Sequence, residues 1–227
     1  MAMGRSVVLN GSPRCERCQL PPRWCICPEI HEVDCPLKVD VLMHHREAFR
    51  PSSTGYLIRR VIPSSGVHLY RRGNLPEREK VANPGNPLWI LHPCGEPLPP
   101  DTRPGGLQVL LLDGSWRQTR EMIGAIRSWG RLVRLPMLGE SRYWLRTQTG
   151  EGNYGTAEAL IFLLAALNLK QACDQVRLQF ELHVYAGLCS RGAKAKAEEY
   201  LVTSPVRAAL AETIARLAFL PEPSELP

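Results

Sequence analysis

Apolar positions along the chain follow two periods. "LKVDVLMHH" (37–45) begins by alternating and then turns apolar, which predicts a strand running inward. "GVHLYRR" and "PLWILHP" predict two further strands, "LQVLLLD" a fully buried one, and "RLVRLP" another. Helical spacing appears between them. "PSSTGYLIRRVIP" predicts a short helix opening at Ser53 or Thr54 and ended by Pro63. "RQTREMIGAIRSW" places Met122, Ile126 and Trp129 on one helical face and Arg117, Arg120, Gly124 and Arg127 on the opposite one. "YGTAEALIFLLAALNL" is almost all apolar and predicts a buried helix, and 171–218 reads as more helices. "GEPLPPDTRPGG" (95–106) reads as a loop. Strands alternating with helices predict an α/β fold with a largely parallel sheet flanked by helices. Residues 1–13 read as a flexible lead, 14–36 as a Cys- and Pro-rich segment too poor in apolar residues for a core of its own, 37–218 as the main domain, and 219–227 as a flexible tail.

Composition narrows the setting. With 227 residues, 44% of them hydrophobic, the chain can form one sizeable core plus a small module. "MAMGRSVVLNG" lacks the apolar stretch of a signal peptide, and the longest apolar run, Ala159 to Leu167, is too short to span a bilayer. A soluble, cytoplasmic protein with no membrane partner is expected. The net charge of +6 is uneven: residues 1–150 carry 21 Lys and Arg against 13 Asp and Glu, and residues 151–227 carry 7 against 9. A basic front fits an anionic partner. Arginine far outnumbers lysine, however, and a GC-rich genome produces the same bias.

Cys15, Cys18, Cys25, Cys27 and Cys35 fall in the first 35 residues, whereas Cys94, Cys173 and Cys189 are scattered. In a reducing compartment such clustering points to metal rather than disulfides. "CERCQLPPRWCIC" offers Cys15-x2-Cys18 and Cys25-x-Cys27, two close pairs that match a tetrahedral zinc site. Four thiolates fill the shell and leave no position open for catalysis, so the zinc is expected to be structural. His31 and Cys35 are reserve ligands. His44 and His45 are not read as ligands, because neighbours on a strand point to opposite faces.

"LLLDGSWRQTREM" (110–122) ends a buried strand on a carboxylate and a tryptophan. Asp113 could cap the following helix. It could equally mark a site, since ligands bind at the carboxyl edge of α/β sheets.

Five motifs occur in order: the paired cysteines, "HHREAFRPSSTGYL", "LHP", "LDGSWRQTREM" and "SRYWLRTQTGEGNYGTAEAL". Together, from about Arg14 to past Ala159, they resemble the DTW-domain family, whose characterised members are tRNA-uridine aminocarboxypropyltransferases. Ser115 stands where the name motif has threonine, and Gly155-Thr156-Ala157-Glu158-Ala159 stands for Ser-Thr-x-Glu-Ala. The resemblance implies a SPOUT-like α/β domain with a carboxyl-terminal trefoil knot, S-adenosylmethionine as donor and tRNA as acceptor. It implies transfer of the 3-amino-3-carboxypropyl group to N3 of a uridine, with release of methylthioadenosine. Uracil N3 must lose a proton, and Asp113 is the expected base. The donor slot is expected from Thr54, Leu91, Pro93, Trp116, Leu135, Pro136, Thr156, Ala157 and Ala159, with the helix start at Thr156 offering hydroxyl and N–H groups to an anion. Arg46 and Glu47, at the strand end after the two histidines, are expected either to form a salt-bridged loop or, by the resemblance, to line the site, and Arg46, Arg50, Arg59, Arg60, Arg117, Arg120, Arg142 and Arg146 are candidates for phosphate contact. The competing readings are a SPOUT-type RNA methyltransferase and a non-catalytic, zinc-bearing RNA-binding protein.

Overall fold

The structure is a computed structural model that describes residues 13–137, 139–146 and 154–218. The expected lead, apart from Pro13, and the expected tail lie outside the described residues. Five strands form one all-parallel sheet: β1 (Lys38–His44), β2 (Gly66–Tyr70), β3 (Leu88–Pro97), β4 (Gln108–Asp113) and β5 (Arg131–Arg134), in the order β2-β1-β4-β3-β5. The helices are α1 (Gly55–Val61), α2 (Arg78–Val81), α3 (Trp116–Ile126), α4 (Thr156–Ala166), α5 (Lys170–Ser190), α6 (Lys194–Val202), α7 (Val206–Ala209) and α8 (Ala211–Ala218).

The two-residue period of the strands divides the core in two. Val39, Val41 and Met43 of β1, with Val109 and Leu111 of β4, join residues of α1, α4 and α5 in the larger core. Leu42 and Leu110 face the other way, toward Met122 and Ile126 of α3. Both central strands are thus covered on both faces, as parallel strands must be, and their sequences are apolar almost throughout. β4 follows β3 in sequence yet lies between β3 and β1. That insertion brings the carboxyl ends of three strands side by side, with Asp113 at the end of the middle one.

Two expectations change. The segment 95–106 is not loop from its start. β3 bulges between Leu91 and Glu96 and then pairs with β5 again, Glu96 opposite Val133 and Pro97 opposite Arg134. Gly95 allows this, because a Cβ there would lie 2.5 Å from the Val133 nitrogen. Such pairing is set by β5, not by local composition. His44 and His45 do not oppose one another: β1 ends at His44, His45 belongs to the following turn, and their ring centroids come within 4.6 Å. The Cys-rich segment packs onto the main core, where Leu20, Ile26, Ile30 and Val33 are buried. Gln179 Nε2 of α5 donates to the Glu29 carbonyl (2.7 Å), and Thr213 Oγ1 of α8 to the Glu29 carboxylate (2.6 Å). Among the described residues no helix is long and apolar enough to cross a membrane.

Candidate active site

At the carboxyl edge of β4 and β3 lies a cavity of about 450 Å³. Leu91, Pro93 and Leu135 supply apolar wall, Trp116 opens α3 against it, and Thr54, Thr156 and Ala159 close it from α1 and α4. Pro136 is exposed and outside the lining. Ala157 is fully buried behind it, where its N–H donates to Thr54 Oγ1 (3.3 Å).

Asp113 forms part of the wall and is 4% exposed. Ser53 Oγ donates to Oδ2 (2.6 Å), and Thr156 Oγ1 donates to Oδ1 (2.8 Å). Burial raises the carboxyl above the usual carboxylate range, while those two hydroxyls pull it back. The approach of α1 depends on Gly55, where a Cβ would lie 2.8 Å from Asp113 Oδ2. Capping is not Asp113's task. Ser115 caps α3: its Oγ accepts from Gln118 N (3.4 Å), and its own N–H donates to Gln118 Oε1 (2.6 Å). Serine and threonine can both make this reciprocal box, so the departure from the family's name motif preserves the device.

The start of α4 differs from expectation. The Thr156 hydroxyl is directed at Asp113 and the Leu112 carbonyl, and the Ala157 N–H is taken by Thr54, so these groups are occupied within the fold. Glu158, 5% exposed, gathers the segment that leads into α4: it accepts from Gly155 N and Arg142 N (2.6 Å each) and Ser141 Oγ (2.8 Å). Burial raises its carboxyl against the pull of those donors.

Ser53, Tyr143 and His92 were not singled out as site residues from sequence, and Glu47 was named there without its partners. Ser53 was weighed only as a helix start. Glu47, fully buried, accepts from Arg146 (2.5 Å) and pairs with Arg50 (3.1 Å), and both arginines line the cavity. Tyr143 donates its hydroxyl to the Ser52 carbonyl. His92 also lines the cavity; its Nδ1 accepts from Cys94 N (3.2 Å), and burial lowers its pKa, favouring the neutral ring. Ser53, Tyr143 and the Glu47–Arg146 pair carry no local signal, because those partners lie on other elements or loops.

The arginines separate into two groups. Arg46, Arg117 and Arg120 are exposed, and Arg50 is half-exposed at the cavity. The others are engaged by the fold. Arg142 holds Glu181 (3.1 Å), Tyr200 O and Thr203 Oγ1 (both 2.9 Å) and lies 3.9 Å over the Tyr200 ring. Arg59 donates to the carbonyls of Pro63 and Ser65. Arg60 turns inward to the Arg17 carbonyl (3.1 Å).

Away from the cavity, Cys15, Cys18, Cys25 and Cys27 place their sulfurs within 4.8 Å of one another. Two pairs cross between knuckles, Cys15 to Cys27 at 3.4 Å and Cys18 to Cys25 at 3.8 Å. Tetrahedral zinc with bonds of about 2.3 Å needs sulfurs about 3.8 Å apart. The donor set therefore fits that ion.

The fold and site are those of a parallel α/β protein with an apolar cavity and a buried carboxylate at the carboxyl edge of its sheet, and with a separate four-cysteine cluster that could hold a metal ion. The chain matches the DTW domain family over residues 12–188 and belongs to that family. It is similar to tRNA-uridine aminocarboxypropyltransferase 2 of Drosophila melanogaster, with 26% identity over 178 residues, 73% of this chain and 71% of that protein. No solved structure gives a significant match.

Proposed function

We propose that this protein is a cytoplasmic tRNA-uridine aminocarboxypropyltransferase that uses S-adenosylmethionine. The observation that carries the reading is Asp113: a buried carboxylate with a raised pKa in the wall of an apolar cavity, in a chain of this family. The N3–H proton of uracil passes to Asp113, N3 bonds to the γ-carbon of the aminocarboxypropyl group, and the carbon–sulfur bond breaks. Its electron pair stays on sulfur, so neutral methylthioadenosine leaves. No metal is required, because the sulfonium is already an activated leaving group. Orientation decides between this transfer and methyl transfer. Trp116, Leu91, Pro93 and Leu135 wall the donor slot, and Trp116→Ala is expected to weaken donor binding first.

The exposed Arg46, Arg117 and Arg120, with Arg50 at the cavity, are read as the groups that meet tRNA phosphate. Replacing Arg117 and Arg120 with alanine should flatten the salt dependence of tRNA binding. The four cysteines are read as a structural zinc site, with one zinc per folded chain expected by metal analysis. The SPOUT-like knotted fold belongs to this reading through the family, and the all-parallel sheet agrees with its α/β class.

A second reading of Asp113 has an observation behind it. Both of its oxygens already accept hydroxyls from α4 and from the turn before α1, so it could serve as a tie between those elements. The reaction itself is tested with tRNA and carboxyl-labelled S-adenosylmethionine. Label is expected in the nucleoside. Label left entirely in S-adenosylhomocysteine would make the protein a methyltransferase and overturn the proposal.

A further inference from the structure

The loop between β1 and α1 is fixed from within. Glu47 N donates to His44 O (2.8 Å), Arg50 N to Glu47 O (2.9 Å) and Ser53 N to Arg50 O (2.8 Å). The buried Glu47 carboxylate adds its ties to Arg146 and Arg50. Yet this ordered loop holds Phe49 out in water at 86% exposure. A phenyl ring kept exposed forgoes the gain of burial. The exposed Arg46 and half-exposed Arg50 flank it in sequence, and Arg50 also lines the cavity. An exposed aromatic ring next in sequence to the cavity-lining Arg50, with the exposed Arg46 three residues before it, suits a nucleobase whose phosphates meet the arginines. An apolar protein partner would not call for that charge.

The structure assigns Phe49 as a stacking platform for a base of the RNA substrate beside the uridine to be modified, with Arg46 and Arg50 on flanking phosphates. This rests on the tRNA reading above. Stacking is tolerant of base identity, so Phe49 would add affinity at the site without reading sequence.

The experiment compares Phe49→Ala with Phe49→Trp in the full chain. It measures tRNA affinity by fluorescence anisotropy, S-adenosylmethionine affinity by calorimetry, and mass in solution by sedimentation. Phe49→Ala is expected to weaken tRNA binding by about tenfold. Phe49→Trp should stay within about twofold of the parent, and donor affinity should not move. Unchanged tRNA affinity in Phe49→Ala would overturn the assignment. So would the loss of a parent dimer in that variant, which would make Phe49 a contact between copies. A parent that binds tRNA but transfers only methyl removes the proposed reaction and leaves the stacking role standing. A parent that binds no tRNA removes both.

Arg60 supports a second, independent inference. It lies in the last turn of α1, with Nη1 donating to Arg17 O between Cys15 and Cys18, while its buried Nε and Nη2 have no hydrogen-bond partner. A buried, unpaired guanidinium is costly unless a negative charge lies nearby. Four thiolates on one zinc ion carry a formal charge of −2, and the adjoining knuckle would supply it. We infer that Arg60 positions and neutralises the zinc–thiolate cluster rather than meeting RNA. Zinc affinity by chelator competition, with helical content as the check on folding, is compared for Arg60→Met, Arg60→Gln and Arg60→Lys. The uncharged variants should bind zinc about tenfold or more weakly, and lysine should recover part of the loss. Parent-like zinc affinity in a folded Arg60→Met or Arg60→Gln protein would overturn it.

Discussion

Two helices start beside the same cavity, and each begins at a hydroxyl residue, but the hydroxyls serve different masters. Ser115 closes a box with Gln118, three residues on, and so serves only the helix it begins. Thr156 reaches 43 residues back to Asp113, and the N–H that follows it is taken by Thr54 of another element. One start is locally complete. The other is assembled from α1, β4 and α4 together. The comparison teaches that a helix start borders a ligand site in a useful way when its hydroxyl is free of its own helix.

The strongest test of the comparison is Asp113→Asn. The amide keeps the size and can still meet both hydroxyls, but it cannot accept the uracil proton. Turnover should fall by about a hundredfold or more, while S-adenosylmethionine and tRNA still bind. Near-parent turnover would leave Asp113 as a tie alone. The pH dependence sharpens this. Because burial raises the Asp113 pKa in the folded protein above its ordinary 3.8, the ionised form costs stability. Its favourable contribution is fully present below 3.8 and is lost as pH rises through the raised folded value. Asp113→Asn should therefore melt higher than the parent at pH 8, with the gap closing as pH falls toward 4, as thermal scans across that range would show.

Next in size is Thr156→Val, which preserves shape but leaves Asp113 Oδ1 without its donor. A loss of about 1–3 kcal/mol in urea unfolding is expected, the usual cost of an unsatisfied buried group, with reduced turnover alongside. Ser115→Ala should cost about 1 kcal/mol, the worth of an N-cap, and disturb turnover far less than Thr156→Val. An equal effect on kcat from both would abolish the distinction between the two starts. Smallest of all, Ser115→Thr restores the residue of the family's motif and should shift stability by less than about 0.5 kcal/mol, because either hydroxyl completes the box.

Much of this protein was legible along the chain, for reasons that are local. The apolar runs at 37–45 and 107–113 became the two central strands because only a doubly covered parallel strand suits so continuous a run. The helix over 116–126 follows from the spacing of Met122 and Ile126. Paired cysteines are readable because a metal knuckle is built within a few residues. Asp113 was visible as the carboxylate that ends an apolar strand, and Thr156 was named beside it, but the bond between them was not. Ser53 meets Asp113 across 60 residues, Glu47 meets Arg146 across 99 and Glu158 meets Arg142 across 16, which no local pattern encodes. The arginines show the same limit. Composition marked Arg59, Arg60 and Arg142 no differently from Arg117 and Arg120, yet packing turned the first three toward carbonyls and carboxylates and left the other two in water. Periodicity and spacing determine which elements form. Which side chains of those elements meet is decided only when β4 enters between β1 and β3 and draws α1 and α4 together around its carboxyl end.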